Sequence, residues 1–245
     1  MSSALPGSVS EVIARLQAIE ASASPADGVV SFARLYREVT QGVEAELGRR
    51  AFLDVPFLER LDVVFAGLFF SALETYEHDP ASTPSAWVPL FSQRARRGIA
   101  PLQFALAGMN AHINRDLPVA LVTTCDVLRL DLREGSPEHG DFERVDVLLS
   151  EVEAHVKGSY LTGWLAWVDR VVHPLHRMDD VVAMWDVGRA RDAAWTNGQA
   201  LWALRDQPTL AADFLGALDR MVGLASRGLL IPADSVVHKL GRLFR

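Results

Sequence analysis

Apolar residues recur three and four positions apart along almost the whole of this 245-residue chain, which is the spacing of one face of an α-helix. The alternating pattern that is typical of half-buried β-strands is scarce. Hydrophobic residues make up 49% of the chain, enough to fill a substantial core. We therefore predict an all-α fold: a single domain over residues 1–245, a bundle of roughly eight to ten helices around a buried central helix.

Capping signals place several helix boundaries. Ser8 followed by Glu11 predicts a capping box for a helix near 9–23, and Asp54 before Pro56 begins a helix that ends near His78. Pro118 bends the helix that precedes it or starts a new one. Further helices are predicted near 27–47, 85–97, 99–116, 141–172, 179–205 and 208–227, with a short one from 233.

Charge and composition exclude several classes of protein. The net charge is −7 and the basic residues are scattered, which opposes a nucleic-acid surface. A lone cysteine, Cys125, excludes an intrachain disulfide and a multi-cysteine zinc site. No window reaches the ~18 apolar residues of a membrane span, and the first residues lack a targeting pattern. We expect a cytoplasmic protein with a small-molecule partner, and we leave homodimer formation open.

The segment GMNAHINRD, residues 108–116, places polar side chains inside an otherwise apolar helix. Residues four apart share a helix face, so His112 lies beside Asp116 and Asn110 beside Asn114. A carboxylate next to an imidazole fixes its tautomer and raises its basicity, as a general base requires. The same pair is able to bind a metal, and the four side chains are also able to tie neighbouring helices together through hydrogen bonds.

Two other helices carry polar residues on mainly apolar faces. Asp62 points inward from RLDVVFAGLFF, although an ion pair near the helix start would also explain it. Arg191 shares a face with Trp195, where it could clamp a carboxylate, stack on the indole, or pair with Asp62 or Asp116. The tryptophans between 164 and 202 either line an apolar cavity or fill the core.

Metal binding and nucleophilic catalysis are two alternatives to acid–base chemistry. Additional metal-ligating side chains occur at Glu151, His155, His173, His176, Asp179 and Asp180, of which the first two flank their apolar stripe rather than continue it. Cys125 lies in the apolar segment LVTTCDVL, where a thiol is usually inert. No Gly-x-Ser-x-Gly elbow and no Gly-rich phosphate loop is present.

The segments FALAGMNAHINRDLP, RLDVVFAGLFFSAL and ARDAAW resemble those of a bacterial all-helical family of unknown function. The resemblance covers most of the chain, and AGMNAHINRDLP is its most specific part. It implies a helical fold and directs attention to residues 110–116. It implies no activity, beyond a place for some members in specialised metabolism.

We predict a small-molecule enzyme with a buried, Trp-rich pocket that uses acid–base chemistry without an organic cofactor or a metal, as a lyase, isomerase or cyclase does. Catalytic roles fall to His112 and Asp116, and substrate contacts to Asn110, Asn114, Arg191, Asp62 and Trp195. One alternative is a metal-dependent hydrolase with His112 and Asp116 as ligands. Another is a non-catalytic ligand-binding or interaction protein.

Overall fold

The computed structural model describes residues 5–49, 52–146, 149 and 187–232. This part of the chain is helical and contains no β-strand, which confirms the all-α class. A π-helical turn, His112–Asp116, joins two of the helices, and a 3₁₀ turn covers Pro80–Ser82. The α-helices are α1 Val9–Ser22, α2 Gly28–Gly48, α3 Val55–His78, α4 Val88–Gln93, α5 Pro101–Ala111, α6 Leu117–Leu128, α7 137–146, α8 Val187–Ala203 and α9 Pro208–Leu229.

The two predicted N-caps are present. The Ser8 hydroxyl accepts a hydrogen bond from the Glu11 amide at 3.2 Å, and the Asp54 carboxylate accepts one from the Phe57 amide at 3.0 Å. The reciprocal half of the predicted capping box is wrong, because Glu11 Oε2 accepts from the amide of Gly7 at 2.8 Å. The glutamate reaches one residue further back and satisfies a donor outside the helix.

Helix α5 is the buried central helix that the sequence predicts. Every residue from Leu102 to Ala111 is buried, and the helix packs against both α2 and α9. Its small residues allow close approach, since the position of Gly108 lies directly on the ring of Phe32. The described helices share one continuous apolar core, and none of them is long and apolar enough to cross a membrane.

Three predicted boundaries differ from the structure. The helix predicted at 85–97 is confined to Val88–Gln93, because the Arg94 carbonyl accepts a hydrogen bond from the Gly28 amide at 2.8 Å. The α-helix predicted at 99–116 ends at Ala111 and continues as the π-turn. Helix α7 begins at 137 rather than 141, within the predicted surface loop. Most of the predicted helix 141–172, the start of that at 179–205 and the one from 233 lie outside the described residues.

Packing against Gly108 gives a direct test of the central helix. A Cβ atom at this position would stand 2.4 Å from the Phe32 ring, so Gly108→Ala should lower the free energy of unfolding by about 1–3 kcal/mol through overpacking. Gly140 in α7 has nothing within 4 Å of its Cβ position, so Gly140→Ala should raise it by about 0.4–1 kcal/mol. Urea denaturation measures both, and equal effects would contradict the packing described here.

Candidate functional site

The π-turn between α5 and α6 holds the polar segment singled out in the sequence. The Leu117 amide donates to the carbonyl of His112, five residues earlier, instead of to the carbonyl four residues earlier. Single π-turns within α-helices occur frequently at functional sites. This one contacts α3, α8 and α9, so its side chains lie where several helices meet.

Asp116 is the most heavily hydrogen-bonded side chain of the turn. Its Oδ2 atom accepts from the Trp87 indole at 2.9 Å and lies 3.2 Å from His112 Nδ1, while Oδ1 accepts from Arg115 at 2.8 Å. The residue is 0% exposed. A buried carboxylate is tolerated only when it is paired and hydrogen-bonded, and these three donors meet that requirement.

The network continues from Asp116 to α9. Arg115 Nε lies 3.6 Å from Asp219 Oδ1 on that helix. Asp219 in turn accepts hydrogen bonds from the backbone amides of Ser85 at 2.7 Å and Ala86 at 3.1 Å, at the end of the loop before α4. The π-turn is therefore held to α9 and to the segment before α4.

His112 has one ring nitrogen bonded and the other without a partner. Because Asp116 Oδ2 is an acceptor, Nδ1 carries the proton, and Nε2 is left with a lone pair. Nε2 is buried and has no hydrogen-bond partner among the described residues. The ring stacks on Phe65 with 3.5 Å between centroids and meets Tyr36 edge-on at 4.6 Å. Burial lowers the pKa of His112, against the opposing effect of Asp116, so the imidazole is neutral near pH 7.

A cavity of about 70 Å³ lies beside His112. This volume exceeds the ~10–15 Å³ that one water needs. Apolar side chains from α2, α3, α5, the π-turn, α6 and α7 form most of its wall, together with Leu149. The polar wall residues are Tyr36, Asp62, His112 and Arg191. Asp62 and Arg191, predicted from separate segments of the sequence, thus reach the same cavity as His112.

Asp62 and Tyr36 each present an unpartnered polar atom at this cavity. Asp62 Oδ2 and the Tyr36 hydroxyl are buried and have no hydrogen-bond partner within the described part of the chain. Burial, with a smaller contribution from Glu44, raises the pKa of Asp62 to about 7. Burial and the charges of Asp62 and Asp116 raise the pKa of Tyr36 well above 10. Near neutral pH both groups are able to donate a hydrogen bond.

Arg191 is held in place by groups that the sequence did not predict. Its Nε donates to Asp146 Oδ1, its NH2 group donates to the Phe142 carbonyl at 2.9 Å, and its guanidinium lies 3.9 Å from the centre of the Phe142 ring. The predicted stacking partner, Trp195, packs instead against Phe142 and His139. The pairing of Arg191 with Asp62 or Asp116 is wrong, since Asp146 takes that role.

Asn110 and Asn114 share a stripe, as predicted, but face a different neighbour from His112. Asn114 donates to Asn110 Oδ1 at 3.1 Å. Asn110 then donates to the carbonyl of Val222 and the hydroxyl of Ser226, both at 3.0 Å on α9. These amides tie the central helix to α9, and neither belongs to the cavity wall.

Comparisons with known proteins place the chain in a family but assign it no activity. The model of a family of unknown function, DUF5995, matches residues 9–232. The chain belongs to that family. No curated protein and no solved structure matches the chain. Membership of DUF5995 assigns no chemistry to this chain.

The tryptophan-rich character of the pocket stays a prediction for this DUF5995 member. No described tryptophan lines the cavity: Trp87 bonds Asp116, Trp195 packs beside α7, and Trp202 lies under Arg205. Trp164, Trp167 and Trp185 lie outside the described residues.

Two other chemistries find little support in the described residues. These residues contain no group of three His, Cys, Asp or Glu side chains placed to hold a metal. The further metal candidates, Glu151, His155, His173, His176, Asp179 and Asp180, lie outside them. Cys125 is buried, and burial raises the pKa of its thiol to about 12, as the apolar sequence around it suggests.

Besides Asp146, three residues of the site were not predicted from the sequence. Tyr36 lies on an apolar face of α2, where its hydroxyl is one polar atom on a ring typical of a core. Trp87 bonds a carboxylate 29 positions away, which local spacing does not reveal. Arg115 stands inside the segment singled out, and its position between Asn114 and Asp116 was the available signal.

Asp116 should determine which nitrogen of His112 carries the proton. In the wild-type protein, ¹H–¹⁵N correlation spectra at pH 7.5 should show His112 protonated on Nδ1. Asp116→Asn should weaken this preference and raise the share of the Nε2-protonated form, because a neutral amide oxygen accepts the Nδ1–H bond less strongly than a carboxylate. It should also lower the free energy of unfolding by about 1–3 kcal/mol, since Arg115 loses a charged partner. A wild-type imidazole protonated on Nε2 would contradict the assignment.

Asp62 should make stability depend on pH. Its pKa is about 7 in the folded protein and 3.8 in a model peptide, so between these values the folded state binds more protons and the free energy of unfolding falls as pH rises. Asp62→Asn removes this dependence. At pH 8 the variant should be more stable than the wild type by about 1–4 kcal/mol, and at pH 4.5 by far less.

Urea denaturation at both pH values checks this expectation. Glu77→Gln, at an exposed position on the same helix, serves as the control and should leave the pH dependence unchanged. A stability difference between Asp62→Asn and wild type that is equal at the two pH values would show that the Asp62 carboxyl ionises normally.

Proposed function

We propose that this protein is an enzyme that moves a proton at a carbon atom beside a carbonyl group in a small, mainly apolar substrate. An isomerase that shifts a double bond is the simplest case, and lyases and cyclases extend the same chemistry. One observation carries the proposal: the neutral imidazole of His112 presents an unpartnered, buried Nε2 lone pair at a cavity that also receives Asp62 and Tyr36.

His112 is suited to act as the general base. A general base must be unprotonated at the working pH and held in one orientation. Burial keeps the imidazole neutral, the Asp116 carboxylate holds Nδ1, and Phe65 stacks on the ring. When Nε2 takes a proton, the imidazolium that forms is stabilised by Asp116. Asp116 is thus a positioning residue that acts through His112.

Asp62 and Tyr36 are suited to stabilise the charge that develops on the substrate. A carboxylic acid kept neutral by an apolar site can donate a hydrogen bond to a developing oxyanion, and a phenol beside it can do the same. The pKa of Asp62 is about 7, and the Tyr36 hydroxyl stays protonated. Both have a buried polar atom without a partner, which a carbonyl oxygen would satisfy.

The reaction balances without an oxidant or a reductant. Nε2 of His112 takes the proton from carbon, the C–H electron pair becomes a carbon–carbon π bond, and the carbonyl π pair moves to oxygen. The enolate oxygen accepts hydrogen bonds from Asp62 and Tyr36. The imidazolium then returns the proton to a carbon atom. No organic cofactor and no metal enters this sequence.

The wall of the cavity favours an apolar substrate of a few carbon atoms. Val39, Leu61, Met109 and Ile113 are among its lining side chains, and its volume is about 70 Å³. Arg191 adds one cation at the wall, already paired with Asp146, so an anionic group on the substrate is not required. We place this activity in the cytoplasm, in keeping with the free, buried thiol of Cys125.

The apolar wall also supports a second candidate, a non-catalytic protein that binds the same class of ligand. The two functions differ in what becomes of the C–H bond. An enzyme of the proposed kind exchanges the proton beside a carbonyl with solvent, whereas a binding protein leaves it in place. A metal-dependent hydrolase would need ligands that the described residues do not bring together.

Deuterium exchange separates these functions. The full chain is incubated in D₂O with cyclopentanone or butanone. ¹H NMR then follows the loss of signal from the hydrogen atoms on the carbon beside the carbonyl. We expect the wild type to accelerate exchange and His112→Gln to reduce the rate by about 10²–10⁴-fold, the usual contribution of a general base. His78→Gln, at an exposed position, should leave the rate unchanged.

Variants of Tyr36 and Asp62 test the two hydrogen-bond donors in the same exchange assay. Tyr36→Phe and Asp62→Leu should each slow exchange by about 10–10³-fold, because each removes one donor to the enolate oxygen. Thermal shifts with the same ketones measure binding separately. Binding of a ketone without any exchange would support the binding protein instead, and exchange that survives in His112→Gln would remove His112 from the mechanism.

A further inference from the structure

Helix α9 is apolar on two opposite faces. Its inner face, with buried Leu218 and Val222, packs on the core. On its outer face Leu210, Met221 and Leu224 are 51%, 66% and 68% exposed. Large apolar side chains exposed next to one another on a helix often mark a contact surface for another molecule.

The outer residues follow the spacing of a helix–helix seam. Apolar or small residues recur at alternating separations of four and three, the heptad pattern of a coiled coil. The outer stripe consists of Leu210, Phe214, Ala217, Met221, Leu224 and Gly228, of which Phe214 is half-buried against the core of its own chain. It spans nearly the whole of this 22-residue helix. The spacing indicates that another helix lies along it.

Charged residues along one flank of the outer stripe identify that partner. They occur every seven positions: Asp213, Arg220 and Arg227 lie on the helix, and Asp206 lies in the turn that precedes it. None of the four forms an ion pair within the described part of the chain. When the helix is reversed and laid against itself, Asp213 meets Arg220. The charge pattern is thus complementary to its own antiparallel copy.

The apolar outer stripe and the charged flank are both paired in the same antiparallel register. In an antiparallel pair Asp213 faces Arg220 of the partner subunit, and the two-fold symmetry repeats this pair once. The same alignment places Leu210 against the partner's Met221 and Phe214 against the partner's Ala217. In a parallel pair the charged flank would instead face Ala211, Leu218 and Ala225.

We propose that two copies of this chain associate through α9 as an antiparallel helix pair, with the outer stripe from Leu210 to Met221 in the seam and Asp213 paired with Arg220. The interface uses the same surface on both copies, as a two-fold dimer requires. This inference is independent of the proposed function, because it rests on the outer face of α9 and not on the cavity.

A charge-swap experiment on the full chain tests the pairing and its direction. Analytical ultracentrifugation over a dilution series measures the dimer dissociation constant. Asp213→Arg and Arg220→Asp should each weaken the dimer about tenfold or more, because each places like charges opposite one another twice in the symmetric interface. The double variant D213R/R220D exchanges the two charges and should restore the wild-type constant.

Folding and specificity have their own controls. All of these positions are exposed, so circular dichroism should show unchanged helix content in each variant. Glu77→Arg changes the charge equally at an exposed position on α3 and should leave dimerisation unchanged. Met221→Glu places a carboxylate in the seam and should produce a monomer.

Each other outcome overturns the proposal. A wild-type chain that stays monomeric throughout the dilution series would mean that α9 does not pair with itself. A dimer that is insensitive to Asp213→Arg, Arg220→Asp and Met221→Glu would place the interface elsewhere. Single variants that dissociate without recovery in the double variant would exclude the antiparallel register.

Discussion

The structure around the site depends on the buried carboxylate of Asp116. A charge at this depth is costly unless each oxygen has a donor, and the donors come from the loop before α4, from the start of the π-turn and from the adjacent Arg115. Because Arg115 also reaches Asp219, the same network fixes α9. Removing the carboxylate would release several elements at once. These buried hydrogen bonds therefore hold the His112 ring in one orientation.

The sequence predicted the fold class and the centre of the site because both depend on local spacing. An all-α chain with a buried central helix follows from apolar periodicity, and His112 beside Asp116 follows from residues four apart on one turn. The convergence of Asp62, His112 and Arg191 on one cavity could not be predicted, because these residues lie on separate helices and their meeting depends on tertiary packing. The roles of Asn110 and Asn114 were also beyond local reasoning, since a polar stripe does not say which neighbour it faces.

The cavity and the outer face of α9 each hold atoms without the contacts that would stabilise them. At the cavity, polar atoms are buried without partners among the described residues, so the free energy favours a ligand with matching donors or acceptors. On α9, apolar atoms are exposed, and the free energy favours an apolar surface of matching shape. The inner face of α9 holds Asp219 and Ser226, which contact the π-turn network directly or through Asn110. One helix therefore links both regions.

The π-turn adds one residue to a path that two α-helices would otherwise follow continuously. Deleting a single residue between Gly108 and Pro118 would allow α5 and α6 to follow one α-helical path, bent at Pro118. Because the π-turn absorbs its extra residue locally, the α6 side chains would keep their faces, and the buried Leu121 and Cys125 would stay in the core. The spacing of the polar side chains within the turn would change instead. The length of this segment, as much as its composition, separates chains that can build the His112 site from those that cannot.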